Sequence, residues 1–371
     1  MISIPGIEFF MVLIVYIIIF LIINLSYNMV YGYAGIPDFG RAMAAGAGGF
    51  LCGYLPGRLM AYILGIKGDY LTNVLLIIDD INSVLERDAA LSIVLLIFTI
   101  VVGALAGGAL GLLASLPILR GVRLFYLGVS LLAIQVSFNT IVYHWRPFIR
   151  GELGVPVPDP FRWLMNYETP STPPGFMRLV GVIIASTAVL LAVAYYCNSM
   201  GKSPLGRLLK AVRDDERNVE ALGRDVRKLY VKVMTVSYAF TGMAGALFAY
   251  YQGFVIGLHF DKVTWTFWPI AMVILGGLAN NKGTVLGTVV FITLKRLILF
   301  YKSDLEPILP FSPIWLDGLL LGIILMALLI YRPRGLLPEE SELSLSKEEI
   351  EKIKEKTLKQ QRDKHVLLIK D

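Results

Sequence analysis

Apolar runs long enough to cross a lipid bilayer recur along the whole chain. A helix rises about 1.5 Å per residue, so about 20 apolar residues span the hydrocarbon core. The first run, Phe9 to Leu25, contains one polar residue, Asn24. No lysine or arginine precedes it and no small-residue cleavage site follows it. It therefore reads as a retained span and not as a secretory leader. Further spans are predicted near 41–64, 89–118, 122–145, 176–197, 229–253, 264–280, 284–303 and 312–331. The expected fold is an all-α polytopic membrane helix bundle of about nine spans (roughly eight to ten).

Composition agrees with this reading. Only 17% of the 371 residues are charged and 56% are hydrophobic, where a soluble domain carries about 25% charged residues. An ordinary cytosolic enzyme is excluded. The net charge of +6 fits the lysine and arginine excess of cytoplasmic loops better than nucleic-acid binding. Cys52 and Cys197 lie in or beside apolar runs and read as packing residues. The histidines, His144, His259 and His365, have no zinc spacing, and no metal site is expected. Gly103, Gly107 and Gly111 repeat at four-residue spacing, as do Gly49 and Gly53. Such glycines share a helix face and let a second helix approach closely.

Loop charge sets the expected orientation. Segment 198–232 holds nine basic residues against five acids and should be cytoplasmic. Loop 65–88 carries a net charge of −3 and falls outside. The N-terminus is then outside and the C-terminus cytoplasmic. Residues 1–337 form the membrane domain, with the cytoplasmic loop at 198–228. Residues 338–371 form a charged tail, where Ser346 and Glu349 make a capping box for a short helix.

The loop 198–228 has internal structure. Ser203 is a good N-cap and Pro204 suits the first helical position. Leu205, Leu208, Leu209 and Val212 then form one apolar stripe. Asp214 or Asp215 can cap a second short helix that Gly223 closes, and Asp225 can cap the next span. This amphipathic elbow suits either an interfacial helix on anionic membrane lipid or a docking helix for a cytosolic subunit. Gly201-Lys202-Ser203 resembles the end of a phosphate-binding loop, but Tyr196 stands where that loop needs glycine. No constellation looks catalytic.

The stretch Ser203-Pro204-Leu205-Gly206-Arg207-Leu208-Leu209-Lys210-Ala211-Val212-Arg213-Asp214-Asp215-Glu216, followed by Glu220-Ala221-Leu222-Gly223, resembles the cytoplasmic loop of ABC-transporter permeases for branched-chain amino acids, the LivM type. Four further motifs resemble that family in order: Asn28 with Gly32-Tyr33-Ala34-Gly35 and Phe39-Gly40, Phe240 to Leu247, Leu275-Gly276-Gly277-Leu278 with Gly283 and Gly287, and Arg332-Pro333-Arg334-Gly335-Leu336. The resemblance covers about residues 20–337. Arg41 stands where the family often has histidine, and Ala279 and Thr284 replace a glycine and a proline.

The resemblance implies an importer subunit that binds no cofactor itself. Its implied partners are a second permease subunit, two ATP-binding subunits carrying ATP and Mg, and an external solute-binding protein, in a prokaryotic cell membrane. Ser203, Leu205, Gly206, Arg207, Leu208, Leu209, Ala211, Arg213, Glu216, Glu220, Ala221 and Gly223 would couple to the ATPase. Leu205, Leu208 and Leu209 would fill a groove on it, with Arg207, Arg213 and Glu216 at the rim. The solute path would lie between the two permeases, with Asn28, Gly32, Tyr33, Gly35, Gly276, Gly277, Gly283 and Lys295 as candidates. Non-helical backbone at membrane depth lines a cavity or is buried as a tight turn. In a straight span Lys295 and Arg296 sit roughly 17 Å in. If the span ends early, both charges snorkel to water from an external segment at 297–301. The competing class is an ion-gradient-driven secondary transporter, which wants midplane acids and inverted repeats.

Overall fold

The computed structural model describes residues 6–66, 70, 72–169, 173–302 and 335–339, with isolated positions between 318 and 331. The chain divides into units Met1–Pro338 and Glu339–Asp371. The first is a helix bundle. The predicted tail helix lies outside the described residues, and the span predicted at 312–331 lies largely outside them.

Six described helical segments are long and apolar enough to cross a membrane. They are α1 (Ile7–Tyr27, continued by a π-helical turn Asn28–Tyr33), α4 (Ala89–Leu119), α5 (Leu124–His144), α7 (Phe176–Lys202), α10 (Val226–Gln252) and α12 (Asn281–Phe300). The run at 41–64 forms α2 (Arg41–Ile63), but it is glycine-rich, contains Pro56, and is packed inside the bundle. The run at 264–280 forms a helix that ends early, at Gly276. A π-helical turn, Val263–Phe267, leads into α11 (Trp268–Gly276), which is too short to span alone.

The acidic segment 65–88 is not a plain loop. It contains α3 (Val74–Arg87), whose Val74, Ile77, Ile78, Ile81 and Leu85 are buried. Its net charge hid an i, i+3, i+4, i+7 stripe that was visible in the sequence. The elements α6 (Arg146–Ile149), α8 (Pro204–Asp214) and α9 (Glu216–Ala221) are short. A two-residue ladder pairs β1 (Val155–Pro156) with β2 (Phe254–Val255), antiparallel.

The centre is α10, sandwiched between α4 and α2. The glycine stripes make that possible. A Cβ on Gly103 would sit 3.0 Å from the Gly242 carbonyl, and one on Gly111 would sit 2.9 Å from the Met234 carbonyl. A Cβ on Gly107 would collide with the Tyr238 carbonyl, and one on Gly245 with the Ala45 carbonyl. Close backbone approach supplies the dispersion contacts that stand in for the hydrophobic effect in lipid. At the end of the bundle opposite α8 and α9, Arg178 pairs with Asp159 and donates to the Tyr250 carbonyl at 2.7 Å. The Asp159 amide donates to Asn82 at 2.8 Å, so α3, α7 and α10 are tied together there.

Candidate functional site

The elbow between α7 and α10 folds as its caps dictate. The Ser203 hydroxyl accepts from the Gly206 amide at 3.4 Å and donates to the Met200 carbonyl at 2.7 Å, with Pro204 opening α8. Asp215 accepts from the amides of Arg217 and Asn218 to start α9. Gly223 closes α9 at φ +77°, and Asp225 accepts from the Lys228 amide at 3.1 Å to start α10. Bonds from the Lys228 amide and side chain hold the Asp225 carboxyl below its ordinary pKa. Glu216 shifts the other way: partial burial raises it, Glu220 adds to the rise, and Arg227 opposes it.

The apolar stripe of α8 turns inward along its length, from Leu205, which is exposed, to Leu209 and Val212, which are buried. Leu209 is 0% exposed and Val212 2%. Leu208 also packs against the protein's own core. Leu205 lines an apolar cavity of about 370 Å³ with Met29, Tyr196 and Met200. Leu209 is thus packed inside the chain, and Leu208 is half-buried. A sequence stripe shows that a face is covered, not which body covers it. The outward face of α8 carries Arg207, Ala211 and Asp214 at i, i+4 and i+7. Beyond α9, Leu222 is 81% exposed, and Glu220, Ala221 and Gly223 are exposed beside it.

Arg213 is turned inward as well. Its Nη1 donates to the Gly32 carbonyl at 2.7 Å, and its stem lies against Gly35, which is at φ +70°. Lys210 lies over the Tyr33 ring, and the Tyr33 hydroxyl would be 2.6 Å from a Cβ on Gly201. The elbow thus rests on the π-helical turn that ends α1.

That turn is joined to the α11–α12 turn. Asn28 Oδ1 accepts from the Ala279 amide at 3.0 Å, and its Nδ2 donates to Asn281 Oδ1 at 3.0 Å. Asn281 in turn donates to Asn198 on α7 at 2.9 Å. A Cβ on Gly32 would collide with Asn28 Oδ1 and lie 2.6 Å from the Ala279 nitrogen. Gly276 and Gly283 meet backbone to backbone, and Gly277 adopts φ +119°. These glycines let the three backbones meet directly. Asn28, Gly32, Gly276, Gly277 and Gly283 thus meet in one tightly packed joint, with Tyr33 and Gly35 on its elbow side. Residues 335–338 clip onto the same joint. The amides of Leu336 and Leu337 donate to the carbonyls of Leu275 and Gly276 at 2.9 Å each. Asn280 Nδ2 donates to the carbonyls of Leu337 and Pro338.

Lys295 lies elsewhere. Helix α12 is unbroken to Phe300, so no separate external segment begins at Leu297. Lys295 sits over the Trp268 ring and Arg296 over the Tyr16 ring. Aromatic faces of this kind stabilise a cation away from water.

A second buried cluster was not identified from sequence. Asp38 and Arg41 are both 0% exposed and form an ion pair at 3.0 Å. Tyr238 donates to Asp38 at 2.7 Å, and Arg41 donates to Ser237 at 2.7 Å and Thr241 at 2.9 Å. The Arg41 guanidinium also lies 5.0 Å from the ring centroids of both Tyr27 and Tyr238. The signal in the sequence was an Asp and an Arg three residues apart. Among the described residues no cluster of three or more His, Cys, Asp or Glu side chains can hold a metal ion.

The sequence matches the family described as branched-chain amino acid transport system / permease component over residues 9–329. The chain belongs to that family. It is 33% identical over 321 residues to a probable branched-chain amino acid transport permease protein LivM of Methanocaldococcus jannaschii, which covers 85% of this chain and 90% of the relative. It is 27% identical over 252 residues to the high-affinity branched-chain amino acid transport system permease protein LivM of Escherichia coli, which covers 64% of this chain. That alignment spans 56% of the Escherichia coli protein. A Salmonella typhimurium relative with the same printed name is 27% identical over 250 residues, covering 63% of this chain and 55% of the relative. No solved structure matches the chain. The chain is thus a multi-pass membrane transport permease component.

Proposed function

We propose that this chain is the membrane-spanning permease subunit of an ABC importer for branched-chain or other amino acids, in a prokaryotic plasma membrane. It pairs with a second permease, takes its energy from two ATP-binding subunits at the elbow, and receives solute from an external binding protein. The N-terminus is outside and the elbow is cytoplasmic. The observation that carries this reading is the contact of Arg213 with the Gly32 carbonyl. Through it, α8 is bonded to the turn that joins α1, α7, α11 and α12. A push on α8 reaches four membrane elements through Arg213, Asn28, Asn281 and Asn198. Such a chain of bonded, packed groups is what coupling between distant sites requires.

The docking face is Arg207, Ala211, Asp214 and Leu222, an apolar anchor rimmed by charge. Co-expression with the ATP-binding subunits and affinity purification tests it. The wild-type chain should retain an ATP-binding subunit. Leu222→Asp and Arg207→Glu should lose it while the chain stays folded. A well-folded chain that retains no ATP-binding subunit in several detergents would overturn the proposal.

A further inference from the structure

At the end of the bundle opposite the elbow lies a cavity of about 250 Å³ between the second half of α5 and the loop 257–262. Its floor is Gln135, which is 0% exposed. Gln135 Oε1 accepts from Thr266 at 3.0 Å, and its Nε2 has no partner. One helical turn along the same face is Asn139. Its Nδ2 donates to the Phe260 carbonyl at 2.6 Å, and its buried Oδ1 has no partner. Buried polar atoms are ordinarily bonded. Here two residues that line one cavity each keep a buried polar atom without a partner, one a donor and one an acceptor. Asp261 and Lys262 stand in its lining with opposite charges, and Val136 and Leu258 supply apolar wall.

We infer that this cavity binds a small zwitterion with an aliphatic side chain, an α-amino acid on its way into the membrane path. Gln135 Nε2 and Lys262 meet the carboxylate. Asn139 Oδ1 and Asp261 meet the ammonium. The volume suits a single amino acid, since it is below the range of about 300–1,000 Å³ that holds drug-sized ligands. The inference rests on the importer reading above, and the test separates the two.

The assembled transporter is reconstituted with Thr140→Cys, an exposed residue of the cavity wall. Cys52 and Cys197 are buried, so N-ethylmaleimide reports position 140. Millimolar leucine should slow labelling at least fivefold, whereas isoamylamine and 4-methylpentanoate, each lacking one charge, should not. Gln135→Leu should abolish protection and raise the KM for leucine uptake at least tenfold. If Gln135→Leu fails to assemble, the surface variant Lys262→Gln decides, with a severalfold rise in KM expected. Uptake without protection and without a KM change refutes the site and leaves the importer reading standing. Protection with no amino-acid uptake by the wild type leaves the site standing and refutes the transported solute. Equal labelling with and without leucine, in a chain that takes up no amino acid, refutes both.

Discussion

Replacing Arg41 with leucine asks how strongly one buried ion pair holds α1, α2 and α10 together. The substitution leaves the Asp38 carboxylate at 0% exposure, facing only the Tyr238 hydroxyl and the Gly40 amide. Breaking a buried pair by removing one partner costs about 3–5 kcal/mol, against about 0–1 kcal/mol for an exposed pair. Ser237 and Thr241 keep other partners. Ser237 still donates to the Ser26 carbonyl, and Thr241 to the Ser237 carbonyl at 3.0 Å. The loss therefore concentrates on Asp38. For a large chain each kcal/mol moves the thermal midpoint by about 2 °C. Arg41→Leu should lower it by about 6–10 °C. The double variant Asp38→Leu/Arg41→Leu removes the stranded charge. It leaves the Tyr238 hydroxyl unbonded, at about 1–3 kcal/mol, and should be more stable than Arg41→Leu alone. Cys52 and Cys197, free and buried, supply the assay: a thiol-reactive dye reports their exposure on heating. One scan rate is used throughout, because large proteins commonly unfold irreversibly. A single-variant midpoint within about 2 °C of wild type, or a double variant less stable than the single, refutes the reasoning.

Three further outcomes follow from the same geometry. Gly32→Ala drives a methyl into Asn28 Oδ1 and the Ala279 amide; overpacking of this kind costs about 1–3 kcal/mol, read as a lower midpoint together with leucine uptake reduced more than ATP hydrolysis. Asp225→Ala should speed amide exchange in the first turn of α10 several-fold near neutral pH. Because the folded Asp225 carboxyl is held below its ordinary value of 3.8, its contribution is present above that pH and fades as pH falls through the lower folded value; a variant difference that grows on acidification contradicts this. Leu209→Ala, unlike Leu222→Asp, should lower the thermal midpoint, by about 2–5 kcal/mol in stability, without preventing retention of an ATP-binding subunit; the reverse pattern would return Leu209 to the docking face.

Much of this architecture was visible in the residues. Ser203, Pro204, Asp215, Gly223 and Asp225 mark the ends of α8, α9 and α10 because caps are local chemistry. The four-residue glycine spacing announced close packing, and α4 and α10 deliver it. What sequence could not supply were facts about partners in space. The α8 stripe did not reveal that Leu209 and Val212 meet the same chain. The run at 264–280 is mostly apolar, and apolarity is silent about the π-helical turn that opens it and about its early end at Gly276. Asn28, Asn198 and Asn281 read as isolated polar residues until the bundle closes. Asp38 hid in a short connector, its need for Arg41 apparent only once both are removed from water.

The clip at 335–338 sets an order of events during synthesis. The carbonyls of Leu275 and Gly276 receive their partners from residues made some sixty positions later. The turn between α11 and α12 cannot be completed until the ribosome has passed Pro338 and the intervening segment has been placed. A chain released before that point would carry a half-built joint beneath the elbow. Residues 335–338 thus act as a completion mark, and a chain that has reached them presents the elbow on a closed foundation.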